Sequence, residues 1–428
     1  MATFASASNQ VAALKELYSD DSWVMKDLVY KKNPALALIP KDDSPSGMAG
    51  KYFPCPLIYG TPQGRSASFS LAQTNQTAPA LGTFFVYRVS NYQVVTITNE
   101  LLEATKGNAG AFIDEAKLNM DTGFRNHSND IAHDLFGDGT GLRGNISTIT
   151  TGVIQLVNAP DVVNFEVGMT LVSYSVTGSV YAQSTGNNLG YVIAVNRSIG
   201  TVTVSASVGG AAGTPTNWSA AFPNLGVQGD VFFGTLTTQN QLSKITGLAG
   251  WLPTISPSTG ESFWGQDRSI DSVRMAGVRF DGSSESIEEA LIDASALVAR
   301  EGGQPDYCFM SFASWAALEK SLGSKVQYVD VKHDEADISF KGITVNAPYG
   351  PITVIPDRSC QAQRAYLLQL DTWKLRSLNK VPHILTYGME GLEGLRVGNA
   401  DALEIRIGSY ANLTCCAPGW NATISLSA

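Results

Sequence analysis

The spacing of apolar residues changes character several times along the chain, and each change marks a different kind of element. Val11, Leu14, Leu17 and Tyr18 make one short helical stripe, and Trp23, Met25, Leu28 and Val29 make a second. Asn33-Pro34 and Ile39-Pro40 stop helix propagation, so residues 1–50 read as a helical arm without a core of its own. Lys51 to Thr98 then reads as a long β ribbon, with apolar runs Tyr52 to Tyr59 and Phe84 to Ile97 around a middle rich in Gly, Pro, Gln, Ser and Thr. An isolated hairpin is marginal in water, so a ribbon of this length is expected to lie on something else, most economically a second copy of the chain.

From Asn108, a suitable N-cap, to Phe136 the period becomes helical. Ala109, Phe112, Ile113, Ala116, Met120, Phe124, Ile131 and Leu135 recur mostly at three- and four-residue steps, while Asp114, Glu115, Lys117 and Asp121 face away. The helix would span roughly 40 Å at about 1.5 Å per residue. Gly110 and Gly123 each weaken it by about 1 kcal/mol relative to Ala, and it ends in Gly137-Asp-Gly-Thr-Gly141.

Ser147 to Thr235 is different material, with four charged residues (Asp161, Glu166, Arg197, Asp230) among many Val, Ile, Thr and Gly. Runs Val153 to Val157, Thr170 to Tyr174, Tyr191 to Val195 and Thr201 to Val204 are separated by turn clusters, among them Asn187-Asn188-Leu-Gly190 and Arg197-Ser-Ile-Gly200. This predicts a small all-β sandwich or barrel inserted into a host domain. From Met275 the pattern is α/β. Ser286 with Glu289 forms a capping box for a helix striped by Ile287, Ala290, Leu291, Ala294, Leu297 and Val298 and closed by Gly302-Gly303. Asp306 to Met310 predicts a strand, and Ser314 is read as the cap of a helix from Trp315 to Leu322. Strands follow at Ile343 to Val345, Ile352 to Ile355, Tyr366 to Leu370 and Ala402 to Tyr410, the first two around Pro348-Tyr-Gly350.

Composition sharpens this picture. Of 428 residues only 16% are charged, against roughly 25% in an average soluble domain, while 44% are hydrophobic. A surface so poor in charge is covered by partners or built of uncharged polar β structure. The net charge of −9, with Lys31-Lys32 the only adjacent basic pair, argues against sequence-specific nucleic-acid binding. A container that holds DNA without adhering to it would share this balance. Five cysteines without a C-x-x-C spacing argue against a disulfide framework, and Cys308 reads as a small core residue. The first charge is Lys15 and no basic region precedes an apolar core, so no secretory signal is expected; no apolar run is long enough for a membrane helix. Sequons such as Asn75-Gln-Thr77 and Asn217-Trp-Ser219 are read as chance matches.

The order of pieces resembles the major capsid protein of tailed bacteriophages, the HK-97-like fold. The residues that carry the likeness are Gly247-Leu-Ala-Gly-Trp-Leu252, Gly265-Gln-Asp-Arg-Ser269 leading to Met275-Ala-Gly277, Gln304 to Met310 before Trp315, and Phe340-Lys-Gly-Ile343 before Val354-Ile-Pro356. The resemblance implies an α+β capsid fold of an N-terminal arm (1–50), an extended β loop (51–98) and a peripheral domain with a spine helix (99–146). It continues with an axial domain and its preceding peripheral segment (236–380) and a C-terminal return to the peripheral domain (381–428), while the β-rich insert (147–235) departs from the family's minimal pattern, although inserted β domains at such positions are known in it. It further implies self-assembly into pentamers and hexamers of an icosahedral virion head, assembled in a bacterial cytoplasm around double-stranded DNA contacted non-specifically. Portal, scaffold and decoration proteins would be partners, with no enzyme activity, cofactor, metal or membrane. An encapsulin-type compartment and a β-rich fibre or adhesin subunit are the rival readings.

Candidate chemistry is sparse. Gly139-Thr-Gly141-Leu-Arg-Gly144 matches G-x-G-x-x-G, but a helix precedes it and β structure follows, the reverse of a dinucleotide site, so it reads as a helix-terminating loop. His333-Asp334-Glu335-Ala-Asp337 reads as a solvated loop rather than a metal site, and the resemblance would place it near a capsomer axis, where like charges repel. His127 and His133 read as polar decoration on the long helix. The predicted inter-subunit contacts are Gln63, Gly64 and Arg65 at the ribbon tip and His333, Asp334 and Glu335 in the axial loop. The tip carries no Lys, which does not support the Lys–Asn cross-links that some members of the family form.

Overall fold

Two sheets and a barrel organise the chain in the computed structural model, which describes residues 33–43, 50, 52–98, 109–177, 180–183, 189–216, 218, 224–227, 244–322, 328–333, 336–385, 395–396 and 401–427. The two N-terminal stripes, the expected cap Asn108, the turn at Asn187-Asn188 and the pair Asp334-Glu335 lie outside the described residues.

A seven-stranded mixed sheet runs in the order Val278–Gly282, Ala422–Leu426, Arg364–Leu368, Tyr307–Met310, Gly350–Pro356, Ala336–Ala347, Tyr328–His333. Its middle strand, Tyr307–Met310, reads Tyr-Cys-Phe-Met, a continuous apolar run, because both faces of the sheet are covered there. Alternate residues divide between the faces. Cys308, Met310, Val354, Ala365 and Leu367 pack in one core with the helices Ile287–Arg300 and Phe312–Leu322. Phe309, Ile355, Tyr366 and Leu368 pack in a second, central core. The first helix carries the expected capping box: Ser286 Oγ accepts from Glu289 N, and the Glu289 carboxylate accepts from Ser286 N at 3.2 Å. The second begins earlier than expected. Ser311 Oγ, not Ser314, accepts the free N–H, and the helix starts at Phe312.

The second sheet is six-stranded and built around the long strand Ala402–Cys415. Val89–Thr98 pairs with it antiparallel from Thr98↔Ala402 to Val89↔Ala411. This revises the expected ribbon. Only Tyr52–Gly60 and Ala80–Tyr87 form the two-stranded ribbon, and after Arg88 the chain turns into another sheet, so the apolar run Phe84 to Ile97 serves two sheets. Asn33-Pro34 also behaves differently from the expected stop: Pro34 occupies the first turn of a five-residue helix, Pro34–Leu38, as a residue without an N–H can. Ala35, Leu38 and Ile39 are buried in the central core, and Lys41–Asp42 adds a short parallel strand beside Trp373–Ser377.

The long helix, Ala109–Asp134, crosses the Val89–Thr98 and Ala402–Cys415 strands. Gly123 sits at the crossing. A Cβ there would lie 2.6 Å from Val95 Cγ2 and 3.3 Å from Ile407 Cδ1, so the propensity lost to glycine admits the close approach of helix and sheet. The helix end delivers Ile131, Leu135 and Phe136 to the central core. Gly139 (φ 94°) and Gly141 (φ 76°) then take left-handed backbone conformations, consistent with a helix-terminating loop.

Strands Leu142–Thr150, Val153–Leu156, Thr201–Ser205, Gly190–Asn196, Thr170–Thr177 and Asn224–Val227 follow one another in space, and the last pairs with both the first and the fifth, closing a six-stranded antiparallel barrel. Val180–Gln183 hangs from Thr170–Thr177. Ile146, Ile154, Leu156, Phe165, Leu171, Val192, Val202 and Trp218 form its separate core. The β structure begins at Leu142, five residues before the composition changes.

Candidate assembly surfaces and the junction behind them

The base of the ribbon is part of the body. Along Tyr52–Gly60 the alternate residues Phe53, Cys55 and Leu57 face the central core, as do Phe84 and Val86 on the partner strand. Phe84 meets Trp251 edge-on at 5.2 Å between centroids, and Trp251 meets Phe263 at 5.1 Å. Phe85 N donates to Trp264 O at 2.9 Å, and Arg274 Nη1 donates to Tyr59 O at 2.7 Å. Arg268 holds the platform beneath: its guanidinium stacks 3.8 Å over the Phe263 ring, pairs with Glu261 at 2.7 Å and donates to Gly250 O at 2.8 Å. The expectation that the whole ribbon needs a second copy for burial is thus corrected for its base, which uses its own chain.

The tip is another matter. Between residues 61 and 79 the single charged side chain is Arg65. The short helix Phe69–Thr74 has no buried residue; Phe69 is 83% exposed, and Ile58, Leu71 and Leu81 are exposed beside it. The backbone is nevertheless fixed. Thr77 N donates to Gln63 O at 3.0 Å, and Gln63 N donates to Thr77 Oγ1 at 3.0 Å. Gly64 has φ 137°, where a side chain would be strained and would crowd Ala72 O at 3.1 Å. Gln63, Gly64 and Arg65 therefore sit together on a defined finger, with Gln63 and Arg65 exposed. His333 lies elsewhere, at the end of Tyr328–His333 on the edge of the seven-stranded sheet. His333 pairs opposite Ala336 of the strand Ala336–Ala347, while Asp334 and Glu335 lie outside the described residues.

Behind the ribbon is a charged junction that the pattern of apolar residues did not disclose. Asp130 and Asp134, one helical turn apart, share a face of the long helix. Asp130 pairs with Arg143 of the first barrel strand and with Lys244 Nζ at 2.7 Å, and it accepts from Asn91 Nδ2 at 2.7 Å. Lys244 also reaches Asn91 Oδ1 at 3.2 Å and Asp134 at 3.8 Å. Both cations are about 5% exposed. One carboxylate thus ties the helix to the strand Val89–Thr98 and to both sides of the barrel segment. The available signal was that Arg143 and Lys244 flank the charge-poor stretch while Asp130 and Asp134 end the helix. Arg358 adds a second tie, donating to Val163 O and pairing with Glu166 at 3.3 Å. An open cleft of about 830 Å³, lined by Asn91, Gln93, Asn126, Asn164, Met169 and others, lies between helix, strand and barrel.

Two buried ionisable groups mark contacts between segments. Asp357 accepts from Ala35 N at 3.1 Å and from Ser359 N at 2.8 Å, holding the start of the Pro34–Leu38 helix; burial outweighs these bonds and raises its pKa to about 6. His127 is buried, not surface decoration, with Nε2 3.1 Å from Ser409 Oγ. Burial first, then Lys244 and His383, lower its pKa to about 4. Cys308 is fully buried in the core of the seven-stranded sheet. Among the described residues no group of His, Cys, Asp and Glu is arranged to hold a metal ion, and no helix is long and apolar enough to cross a membrane.

A chain of the cyanophage A-1(L) capsid asymmetric unit superposes over 96% of this chain and 97% of its own length, with a TM-score of 0.52 at 11% identity. The chain has an HK-97-like capsid fold. The capsid of a native GTA particle covers both chains completely at 9% identity and a TM-score of 0.44, and an encapsulin complex from Synechococcus elongatus matches 97% of this chain at 9% identity and 0.40. No protein-family model matches the capsid-fold chain, and no curated protein matches it at a significant level.

Proposed function

We propose that this chain is the major capsid protein of a tailed bacteriophage, a structural subunit that assembles with itself into pentamers and hexamers of an icosahedral head around double-stranded DNA. The observation that carries this reading is the ribbon: its base is rooted in the body, while its tip presents uncovered apolar side chains on a fixed backbone with one charge. Covering Phe69, Leu71, Ile58 and Leu81 against a neighbour would contribute about 1.5–3 kcal/mol each before the costs of association. Repeated round a closed ring, such a head-to-tail contact needs no chemistry. Gln63, Gly64 and Arg65 would touch the neighbouring copy, and His333, Asp334 and Glu335 would lie near the ring axis.

In this reading the seven-stranded sheet with its two helices is the axial domain, and the six-stranded sheet with the long helix is the peripheral domain. The closed barrel is the inserted β domain that decorates the outer face. Residues 1–32 continue the arm beneath a neighbour, and portal, scaffold and decoration proteins are its partners in the virion. The role is structural rather than catalytic.

Negative-stain microscopy of the chain expressed alone is the test. Shells or capsomer rings are expected; a compact monomer that persists at high concentration would overturn the reading. Protein cargo in place of DNA inside native particles would favour an encapsulin-type compartment.

A further inference from the structure

The strand Val89–Thr98 is paired along one edge. Ala402–Cys415 runs beside it from end to end without a break in register, and among the described residues no strand lies on its other edge. In an antiparallel pair alternate residues turn both N–H and C=O away from the partner, so half of this backbone points outward. Proteins protect exposed edges with charge, Pro or a bulge. Val-Ser-Asn-Tyr-Gln-Val-Val-Thr-Ile-Thr has none of them.

The cleft between helix, strand and barrel opens on this edge. Its lining takes the unbroken run of residues 91–96, whereas one face of a strand would supply alternate residues. Asn119, Thr122, Asn126 and Asn129 line it from the helix Ala109–Asp134 at three- and four-residue steps, a single stripe that ends at His133. His133 Nδ1 is buried there without a hydrogen-bond partner among the described residues. The barrel supplies the third wall with residues 167–170. Stripe and strand run have the same length, about 20 Å. A trough with a free backbone edge, walled by side-chain amides that both donate and accept, suits an extended peptide of about six residues. The charges in it are already matched, Asp130 to Arg143 and Lys244, and Glu166 to Arg358 and Arg197. An inserted charge would be left without a counterion, so the fitting peptide is uncharged.

The chain contains such a segment. Residues 3–8 read Thr-Phe-Ala-Ser-Ala-Ser, with small apolar and hydroxyl side chains alternating, no Pro or Gly, and no charge before Lys15. They lie outside the described residues, ahead of the two helical stripes. Asn33 is itself part of the cleft wall, its Nδ2 donating to Asn129 Oδ1 at 2.9 Å, so the arm departs from one trough. Residues 9–32, as helix, would carry residues 3–8 about 36 Å away, beyond that trough and towards another copy.

We propose that residues 3–8 of a second copy enter this trough as an added strand beside Val89–Thr98. The proposal rests on the capsid reading for the identity of the neighbour; the pairing itself needs two copies and no closed shell.

The test uses the full chain with Phe4→p-benzoylphenylalanine, irradiated at high concentration and read by denaturing gel and peptide mass spectrometry. A two-chain band is expected, its cross-link falling on residues 91–96, 119–129 or 167–170. Ala5→Pro, Ser6→Pro and Ala7→Pro together remove N–H groups from both edges of the segment. They should lower that yield at least about fivefold, the loss of one backbone hydrogen bond, while the unassembled subunit melts as wild type does. A cross-link confined to one chain, or mapped to the ribbon or the seven-stranded sheet, would overturn the proposal, as would a yield indifferent to the prolines. Shells that form without this cross-link would sink the added strand and leave the capsid reading standing. The cross-link in chains that make no shell would do the reverse.

Discussion

Replacing Gly123 by Ala sets two effects of similar size against each other at the crossing of the long helix and the sheet. In a solvent-facing helix the change stabilises by about 1 kcal/mol. Here the added carbon would stand 2.6 Å from Val95 Cγ2, well inside contact distance, and 3.3 Å from Ile407 Cδ1. Ile407 can move the far end of its side chain. Val95 is branched at Cβ, with one rotatable bond, and sits in a strand paired to Ala402–Cys415, so helix or sheet must shift. Overpacking of this kind costs about 1–3 kcal/mol. The balance is a net loss of roughly 1 kcal/mol, and Gly123→Val, with more volume and poorer propensity, should lose more. Urea unfolding of unassembled subunit, followed by the far-UV signal, reads the difference as a lower midpoint. Asp121→Ala, on an exposed position of the same helix, serves as the control and should move the midpoint slightly upward. A Gly123→Ala chain more stable than wild type by the full helical increment would show that helix and sheet do not touch there.

Asp130→Ala leaves Arg143 and Lys244 buried with Asp134 as their nearby carboxylate, and should destabilise the subunit by about 3 kcal/mol; adding Lys244→Met should recover part of that loss in the same urea assay. Phe69→Asp combined with Leu71→Asp should change the stability of the free subunit by less than about 0.5 kcal/mol, because both side chains are exposed, yet remove shells from micrographs; shells that persist would exclude the tip as a contact. Asp357 and His127 should oppose each other in acid. The raised Asp357 contributes stability that is complete below its ordinary value and lost as pH rises through about 6, whereas the lowered His127 contributes stability present above its ordinary value and lost as pH falls through about 4. Each is worth about 3 kcal/mol at most, so melting temperature in wild type should vary little between pH 4 and 6. Asp357→Asn should expose a loss of stability on acidification, and His127→Gln a gain; parallel profiles for all three chains would refute the assignment. Ser286→Ala should cost about 1 kcal/mol through loss of the capping box.

Elements with a strong local signal were readable from the chain alone. The four barrel runs and the strand at Tyr307 were visible because alternation or continuous apolarity bounded by turns leaves few alternatives, and Ser286 with Glu289 fixed a helix start. What escaped depends on partners distant in sequence. Nothing local says that Val89–Thr98 leaves the ribbon to pair with residues some three hundred positions later, since a strand's pattern names its faces but not its neighbour. The start of the Phe312–Leu322 helix was misplaced because two serines three residues apart both suit a cap. His127 looked like surface decoration because its burial depends on Ser409. The position of Gln63, Gly64 and Arg65 at the ribbon tip followed from the Gly/Pro/Gln/Ser/Thr-rich middle between two apolar runs, whereas the exposure of Phe69 and Leu71 beside them required the three-dimensional arrangement.

The strand Ala422–Leu426 lies between Val278–Gly282 and Arg364–Leu368, inside a sheet whose other members are translated earlier. A ribosome that has delivered residue 400 has released every residue of the finger, together with the tryptophan platform on which its root rests. It has not yet supplied the piece that joins Val278–Gly282 to the rest of its layer. Domains emerge at about 5–20 residues per second, so for several seconds each nascent polypeptide carries the exposed Phe69 and Leu71 on an unfinished body. Polysomes, where such intermediates are crowded together, are therefore the place in the cell where premature aggregation has to be prevented.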